Sequence, residues 1–412
     1  MIKFDRFTLS NGLKVIIHKD QTTPFVAVNV LYDVGAKDED SERTGFAHLF
    51  EHLMFGGSVN IPDYDQPLQQ AGGENNAFTN NDFTNYYITV PKQNLETAFW
   101  LESDRMLSLA FSQKSLTTQK QVVIEEFKQR YLNQPYGDVS LLMRPLAYKK
   151  HPYQWSTIGK EISHIEKATL ADVKEFFFQH YAPNNASLTV VGNVETNEIK
   201  ALAEKWFGDI EKRTIKPRKL PKEPKQKEER HLTVKKDVPY TGIYKSYHMC
   251  SRTHKDYQTC DLLSDILSNG KSSRLYQRLV KEQNLFSEID ASIEGCTDEG
   301  LFYITGKLFE GVAVEIAEKA IETELDKIKK EPISDYELNK VKNKIESSLV
   351  FSEIEPLNKA MNLAYFELIG DANLINSEVD KYRSITAEQM QTVARNLFTS
   401  SNCSTLYYLS EK

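Results

Sequence analysis

The sequence predicts an α+β fold in two similar halves. Three observations predict it. Strand-like and helix-like patterns follow one another in mixed order, not as a strict strand–helix–strand winding. A charged, proline-containing stretch lies near the middle of the 412 residues. A sparse repeat spans that stretch. Each half is expected to pack a mixed or antiparallel sheet against helices. The expected divisions are residues 1–211 and 237–412, joined by an extended linker over 212–236.

The elements follow in order. Phe7-Thr8-Leu9 and Leu13 to Ile17 flank Ser10-Asn11-Gly12, and Asn-Gly suits a hairpin turn that needs positive φ. Val26, Val28 and Val30 alternate with Ala27 and Asn29, as in a strand. Thr44 to Phe55 reads as a helix closed by Gly56-Gly57. Tyr86 to Val90 is a further strand. Leu95, Ala98, Phe99, Met106 and Leu109 recur at helical spacing, as do Val122, Val123, Glu126 and Arg130. Leu188 to Val191 is a strand ending at Gly192.

Residues 212–236 hold eleven Lys and Arg against three Asp and Glu, with prolines at 217, 221 and 224. Charge and proline without apolar periodicity predict a solvated connector. Across it, Thr169 to Val191 resembles Thr386 to Tyr408 at an offset of 217: a helix, a short polar turn and a strand.

Composition excludes several classes. The formal charge is −7, against a nucleic-acid partner, which selects a basic face. Hydrophobic residues make up 40%, enough for sizeable cores. No run approaches ~18 apolar residues, so no membrane span is expected. Met1 to Arg6 has no apolar run after its charges, so a cytoplasmic location is expected. Cys250, Cys260, Cys296 and Cys403 have no CxxC spacing, which argues against a disulfide framework or a cysteine–zinc site.

The chemistry concentrates in His48-Leu49-Phe50-Glu51-His52. Residues four apart on a helix share a face, so both imidazoles point the same way and suit one zinc ion. Glu51, between them, is placed to accept a proton from an activated water. A hydrogen-bonded polar cluster is the alternative. The neighbours Phe46, Leu49, Phe50, Leu53, Met54 and Phe55 are apolar, so these polar groups need partners in either case. Catalytic zinc takes three protein ligands. Glu125 and Glu126 are the candidates for the third. Glu126 shares a face with Val122 and Val123, and burial favours it over Glu125.

Gly45 to Ser58 resembles the zinc site of the pitrilysin/insulinase family of metallopeptidases, whose signature is H-x-x-E-H. The similarity continues in Gly72 to Thr79, Thr84 to Tyr87, Val122 to Glu126, and Asn185 to Gly192 with the helix that follows. It covers most of residues 1–210, with weaker matches beyond. The short two-half form is similar to mitochondrial processing peptidase subunits and bacterial heterodimeric homologues.

The resemblance implies half of a clamshell, in which two such chains close around a chamber. It implies one Zn2+ per chain, held by His48, His52 and Glu126, with Glu51 as general base. It implies that Asn76, Ala77, Phe78 and Thr79 form an edge strand to which a peptide substrate adds by main-chain hydrogen bonds. Gln119 stands where the family usually has a glutamate. It can hydrogen-bond a ligand or water but brings no charge.

The second half departs from the pattern. At an offset of 214, Leu262 and Ile266 replace the histidines. In the family's second signature an arginine and a tyrosine stabilise the reacting carbonyl. Those positions are Leu279 and Phe286 here, and neither donates a hydrogen bond. Arg274, Tyr276 and Arg278 lie nearby at the wrong spacing and read as a surface and packing cluster. The expected function is therefore a zinc metalloendopeptidase for short or unfolded peptides, acting as the zinc-bearing subunit beside a homologous subunit that carries the Arg/Tyr pair. A homodimer is the other assembly, a non-catalytic peptide-binding or scaffold subunit the alternative function, and a zinc deaminase or amidase a more distant rival.

Overall fold

Runs of β-branched and aromatic residues assemble into two sheets in this computed structural model, which describes residues 1–411. The first contains β1 (Asp5–Thr8), β2 (Lys14–Lys19), β3 (Phe25–Tyr32), β4 (Glu74–Thr79), β5 (Thr84–Pro91) and β6 (Ala186–Gly192). The second contains β7 (Arg230–Lys236), β8 (Gly242–His248), β9 (Phe286–Glu294), β10 (Leu301–Leu308) and β11 (Cys403–Ser410). Their orders are β1-β2-β6-β3-β5-β4 and β7-β11-β8-β10-β9. Both are mixed: β2 runs parallel to β6 and β7 parallel to β11, while the other pairs are antiparallel. The α+β class expected from the sequence is the class observed. Among the described residues no helix is long and apolar enough to cross a membrane.

The expected hairpin is present, with Phe7 opposite Val15 and Gly12 at φ +92°. The repeat is real in three dimensions. Thr169 caps the helix Leu170–His180 by accepting from Asp172 N–H, and Thr386 caps Ala387–Leu397 by accepting from Gln389 N–H. In each copy a 3₁₀ turn then leads into a central strand, β6 or β11.

The two compact units are not the contiguous halves expected from the sequence. One comprises Met1–Lys128, Trp155–Leu220 and Val350–Ser377; the other comprises Gln129–Gln154, Pro221–Leu349 and Glu378–Lys412. Each half of the chain lends a helix to the other sheet. Helix Pro356–Leu368 places Ala360, Leu363 and Phe366 in a buried cluster with Ile16, Ala27 and Val191 of the first sheet. Helix Val139–Ala147 places Met143 in a cluster with Tyr244, Leu406 and Tyr408 of the second. A sheet apolar on both faces needs two covers, and the exchange supplies the second.

The connector also differs from expectation. Residues 230–236 are not linker but β7, with Arg230, Leu232 and Val234 half-buried and the residues between them exposed. Upstream the backbone is extended, yet it is tied down. Arg218 bonds Asp33 and Asp38 at 2.9 and 2.5 Å, and buried Gln226 donates to Cys403 O at 2.7 Å.

Candidate metal centre

The helix carrying the two histidines spans Phe46–Leu53 and follows β3 after a connection over residues 33–45 that includes the 3₁₀ turn Ala36–Asp38. Phe46, Ala47, Leu49, Phe50 and Leu53 bury one side, which fixes the helix on the protein body. His48, Glu51 and His52 occupy the other side and are half-buried. The helix starts two residues later than the sequence suggested, because Gly45 is left-handed at φ +87°. A Cβ there would stand 2.7 Å from Ile158 O, so only glycine fits.

Glu126 comes from the helix Gln113–Phe127, which packs against the first. His48 Nε2 and His52 Nε2 are 3.3 Å apart. Glu126 Oε2 lies 3.6 Å from the first and 3.5 Å from the second. The three atoms form a nearly equilateral triangle. A tetrahedral ion with ligands at ~2.0–2.1 Å has ligand–ligand edges of about 3.3–3.4 Å, so two imidazoles and a carboxylate at these separations fit zinc. The rings meet edge to face at 85°, and the side chains are 14%, 24% and 19% exposed. Glu125 points elsewhere, 71% exposed and paired with Lys128 at 2.7 Å. The face argument for Glu126 holds through Val123, which is fully buried, but not through Val122, which is 43% exposed.

Glu51 sits beside this triangle. Burial pushes its carboxyl pKa up; Thr79 and His52 beside it pull it down, while Glu126 adds a push upward. A carboxylate held partly out of water beside a site that fits a cation suits proton transfer. Gln119 lies on the same helix as Glu126, seven residues earlier, and is half-buried.

The stretch Asn76 to Thr79 falls in β4, which is the edge of the first sheet. Its four residues do different things. Asn76 Oδ1 accepts from Ala77 N–H at 2.8 Å. Phe78 is partly exposed and meets Phe83 edge-on. Thr79 Oγ1 donates to Thr84 Oγ1 across the β4–β5 pair at 3.4 Å, and Thr79 pulls the Glu51 pKa down.

Two features escaped the sequence reading. Buried Glu39 accepts from Gly45 N–H at 2.9 Å and Ala47 N–H at 2.8 Å, and so caps the histidine helix. A helix cap is normally the residue just before the first turn, and one six residues upstream leaves no local signature. In the second unit, oxygens of Glu229, Glu318 and Glu322 also cluster. There Lys245, 1% exposed, bonds Glu318 at 2.5 Å and lies 3.6 Å from Glu322, so an internal ammonium already balances the acids.

Leu262 and Ile266, which replace the histidines in the second half, are 0% and 2% exposed in the helix Tyr257–Ser268. Leu279 and Phe286 are both fully buried. Arg274, 16% exposed, is bonded to Glu337 at 2.8 Å, and exposed Arg278 to Glu282 at 2.5 Å.

Known proteins are similar to this chain in sequence and fold. The family profile described as Insulinase (Peptidase family M16) matches residues 14–159, and that described as Peptidase M16 inactive domain matches 167–345. Helicobacter pylori zinc protease PqqE is 34% identical over 346 residues, 82% of this chain and 78% of that protein. Bacillus subtilis YmxG, an uncharacterized zinc protease, is 26% identical over 403 residues, 97% of this chain and 96% of its own length. A crystal structure of a protease from Helicobacter pylori superposes with a TM-score of 0.93 at 30% identity, covering 99% of this chain and 100% of that one. The periplasmic protease PqqL from Escherichia coli shares the fold at a TM-score of 0.80 and 19% identity, with 99% of this chain matching 47% of the longer one.

Proposed function

Because the chain belongs to the insulinase family of peptidases, M16, we propose that it hydrolyses peptide bonds in short or unfolded polypeptides with one zinc ion held by His48, His52 and Glu126. The observation that carries this reading is the triangle of three donor atoms with edges of 3.3, 3.5 and 3.6 Å beside Glu51. When bound, the ion supplies Lewis-acid polarisation of a carbonyl and acidifies water toward pKa ~7.

The chain's own groups do the rest. A Glu51 carboxylate oxygen takes the proton of the attacking water and returns it to the leaving amine. Thr79 beside it favours the charged carboxylate. The free edge of β4 offers main-chain groups to an extended peptide, which gives affinity with little sequence choice. Gln119 serves as a neutral hydrogen-bonding group behind the ligands.

Stabilising the tetrahedral oxyanion calls for a preorganised donor, typically worth roughly 3–4 kcal/mol. Leu279 and Phe286 supply none. A homologous subunit carrying the Arg/Tyr pair completes the site in this reading. The match to about half of PqqL supports a two-chain assembly. The test is peptide turnover and zinc content of the purified chain, alone and with a homologous partner. Glu51→Gln should retain stoichiometric zinc while turnover falls about 10²–10⁴-fold; Glu126→Gln should lose the metal too. Unchanged turnover in Glu51→Gln refutes the mechanism. Full activity of the pure chain refutes the shared site.

A further inference from the structure

A helix of eight residues is about two turns long, too short to hold its own position. The histidine helix therefore depends on what grips its ends, and His52 lies in its last turn. Glu39 holds the first turn. The grip on the far end comes from Arg105, on the helix Leu95–Leu107. The Arg105 side chain is 1% exposed. Its guanidinium carbon lies 5.4 Å from the ring centre of Phe55, 4.7 Å from that of Tyr64 and 4.3 Å from that of Tyr86. Phe55 follows His52 by three residues, and its N–H donates to His52 O at 3.2 Å. Tyr86 belongs to β5. One buried cation thus joins the exit of the histidine helix to the sheet.

Arg105 is itself fixed. Its Nε–H donates to Glu102 Oε2 at 2.9 Å and its Nη2 to Glu102 Oε1, which also accepts from the Tyr64 hydroxyl at 2.9 Å. Among the described residues Nη1 has no hydrogen-bond partner; ring faces attract a cation in its place. Neighbouring Asp104 accepts from Ser58 Oγ, and from Asn60 Nδ2 at 2.6 Å, which anchors the chain just beyond Phe55. A buried ion pair is weak evidence of a stabilising role, and the second unit shows what the fold alone needs. There the helix Val314–Lys330 follows β10 as Leu95–Leu107 follows β5. At an offset of 222 the pair recurs as Glu324 and Lys327, 2.6 Å apart, but the Lys327 side chain is 37% exposed. At the offset of 214, exposed Asn269 stands where Phe55 does. The ion pair is common to both units; the ring of Phe55 against a buried guanidinium is the first unit's own.

We propose that Arg105 is a positioning residue: its cation pins the exit of the histidine helix against β5, holds His52 in place opposite Glu126, and so sets the affinity of the site for zinc. The role toward zinc rests on the reading of His48, His52 and Glu126 as ligands; the mechanical clamp does not.

Zinc affinity of the full chain, measured by competition with a chelator, tests this without reference to activity. Arg105→Lys keeps the charge but loses the planar face that lies among the rings. It should raise the zinc Kd at least tenfold, the scale on which groups behind a metal ligand act. Phe55→Leu leaves the Arg105–Glu102 pair intact and should weaken zinc in the same direction; it decides alone if Arg105→Lys does not fold. Lys327→Met, which breaks the matching pair of the second unit, should leave the Kd within twofold. Amide exchange on the zinc-free chain separates a clamp from general loosening. Met54 and Phe55 N–H, bonded to Phe50 O and His52 O, should exchange at least tenfold faster in either variant. Leu49 N–H, bonded to Gly45 O in the first turn, should stay within threefold. A zinc Kd within twofold of wild type in the folded variants overturns the proposal. So does Leu49 accelerating as much as Phe55, which would make Arg105 a general stabiliser. Should the wild-type chain take up no zinc, the metal reading fails while the exchange pattern still decides the clamp.

Discussion

Set β1 aside and the two sheets have one strand order: β2-β6-β3-β5-β4 in the first unit, β7-β11-β8-β10-β9 in the second. In both, the third strand in that order leads into a helix, Phe46–Leu53 after β3 and Tyr257–Ser268 after β8. The first helix leaves a polar face half-open and puts two imidazoles and a carboxylate on it. The second fills the matching positions with Leu262 and Ile266, which join a buried cluster with Ile243, Leu279, Phe286 and Phe302. One scaffold therefore accepts either solution. The face carrying His48, Glu51 and His52 is a local departure from a core that packs well without it, and the Glu126 helix packs against that helix.

The largest expected effect comes from forcing the second helix to imitate the first. Leu262→His with Ile266→His puts two imidazoles where exposure is 0% and 2%. Each buried polar ring without partners costs ~2 kcal/mol or more, so the pair should destabilise the protein by about 4 kcal/mol and bind no additional zinc. Thermal unfolding and metal analysis read both. A second zinc ion per chain would break the comparison, because it would mean that spacing alone makes the site.

Much of that site was legible because its information is local. His48, Glu51 and His52 lie within one and a half helical turns, and their spacing alone states a shared face. Glu126 was harder. The neighbouring valines split, one buried and one exposed, and only the approach of the second helix decides which carboxylate reaches the imidazoles. β7 was hidden by charge: Arg230, Leu232 and Val234 alternate as a strand should, inside a segment dominated by lysine. The exchanged helices left no trace at all. Whether Met143 covers the second sheet, or Ala360 the first, depends on surfaces more than 80 residues away in sequence. Glu39 escaped for the same reason on a smaller scale, since a cap reached from six residues upstream has no motif.

The exchange can be probed through the ion pair that anchors the helix Pro356–Leu368. Asp20 bonds Lys359, and both side chains are largely buried. Burial raises the Asp20 pKa, but Lys359 and Thr22 outweigh it and hold it at about 2, below the ordinary 3.8. A carboxyl with a depressed folded-state pKa stabilises above its unfolded pKa and loses that contribution as pH falls toward the folded value. Asp20→Asn should therefore cost about 2 kcal/mol at pH 6, with the gap from wild type closing between pH 4 and 2. Denaturation across that range is the measurement. A gap independent of pH would mean that the borrowed helix is held by its apolar face alone.

The smallest effect is the finest test of equivalence. In the repeated helix–turn–strand, Asn185 Nδ2 donates to His180 O at 2.9 Å and to Asp33 O at 3.2 Å. At the offset of 217, Asn402 Nδ2 donates to Leu397 O at 3.0 Å and to His248 O at 2.9 Å. Each asparagine thus ties off the last turn of its helix and the end of the neighbouring strand, β3 or β8. A net hydrogen bond is worth ~0.5–1.5 kcal/mol, so Asn185→Ala and Asn402→Ala should each cost about 1–2 kcal/mol. Both are best measured without zinc, since metal binding would add stability to the first unit only. Equal losses would place the two units on one structural plan despite their different chemistry. A much larger loss at Asn185 would mean that the first unit depends on this corner more heavily, because its open polar face leaves it less apolar contact to fall back on.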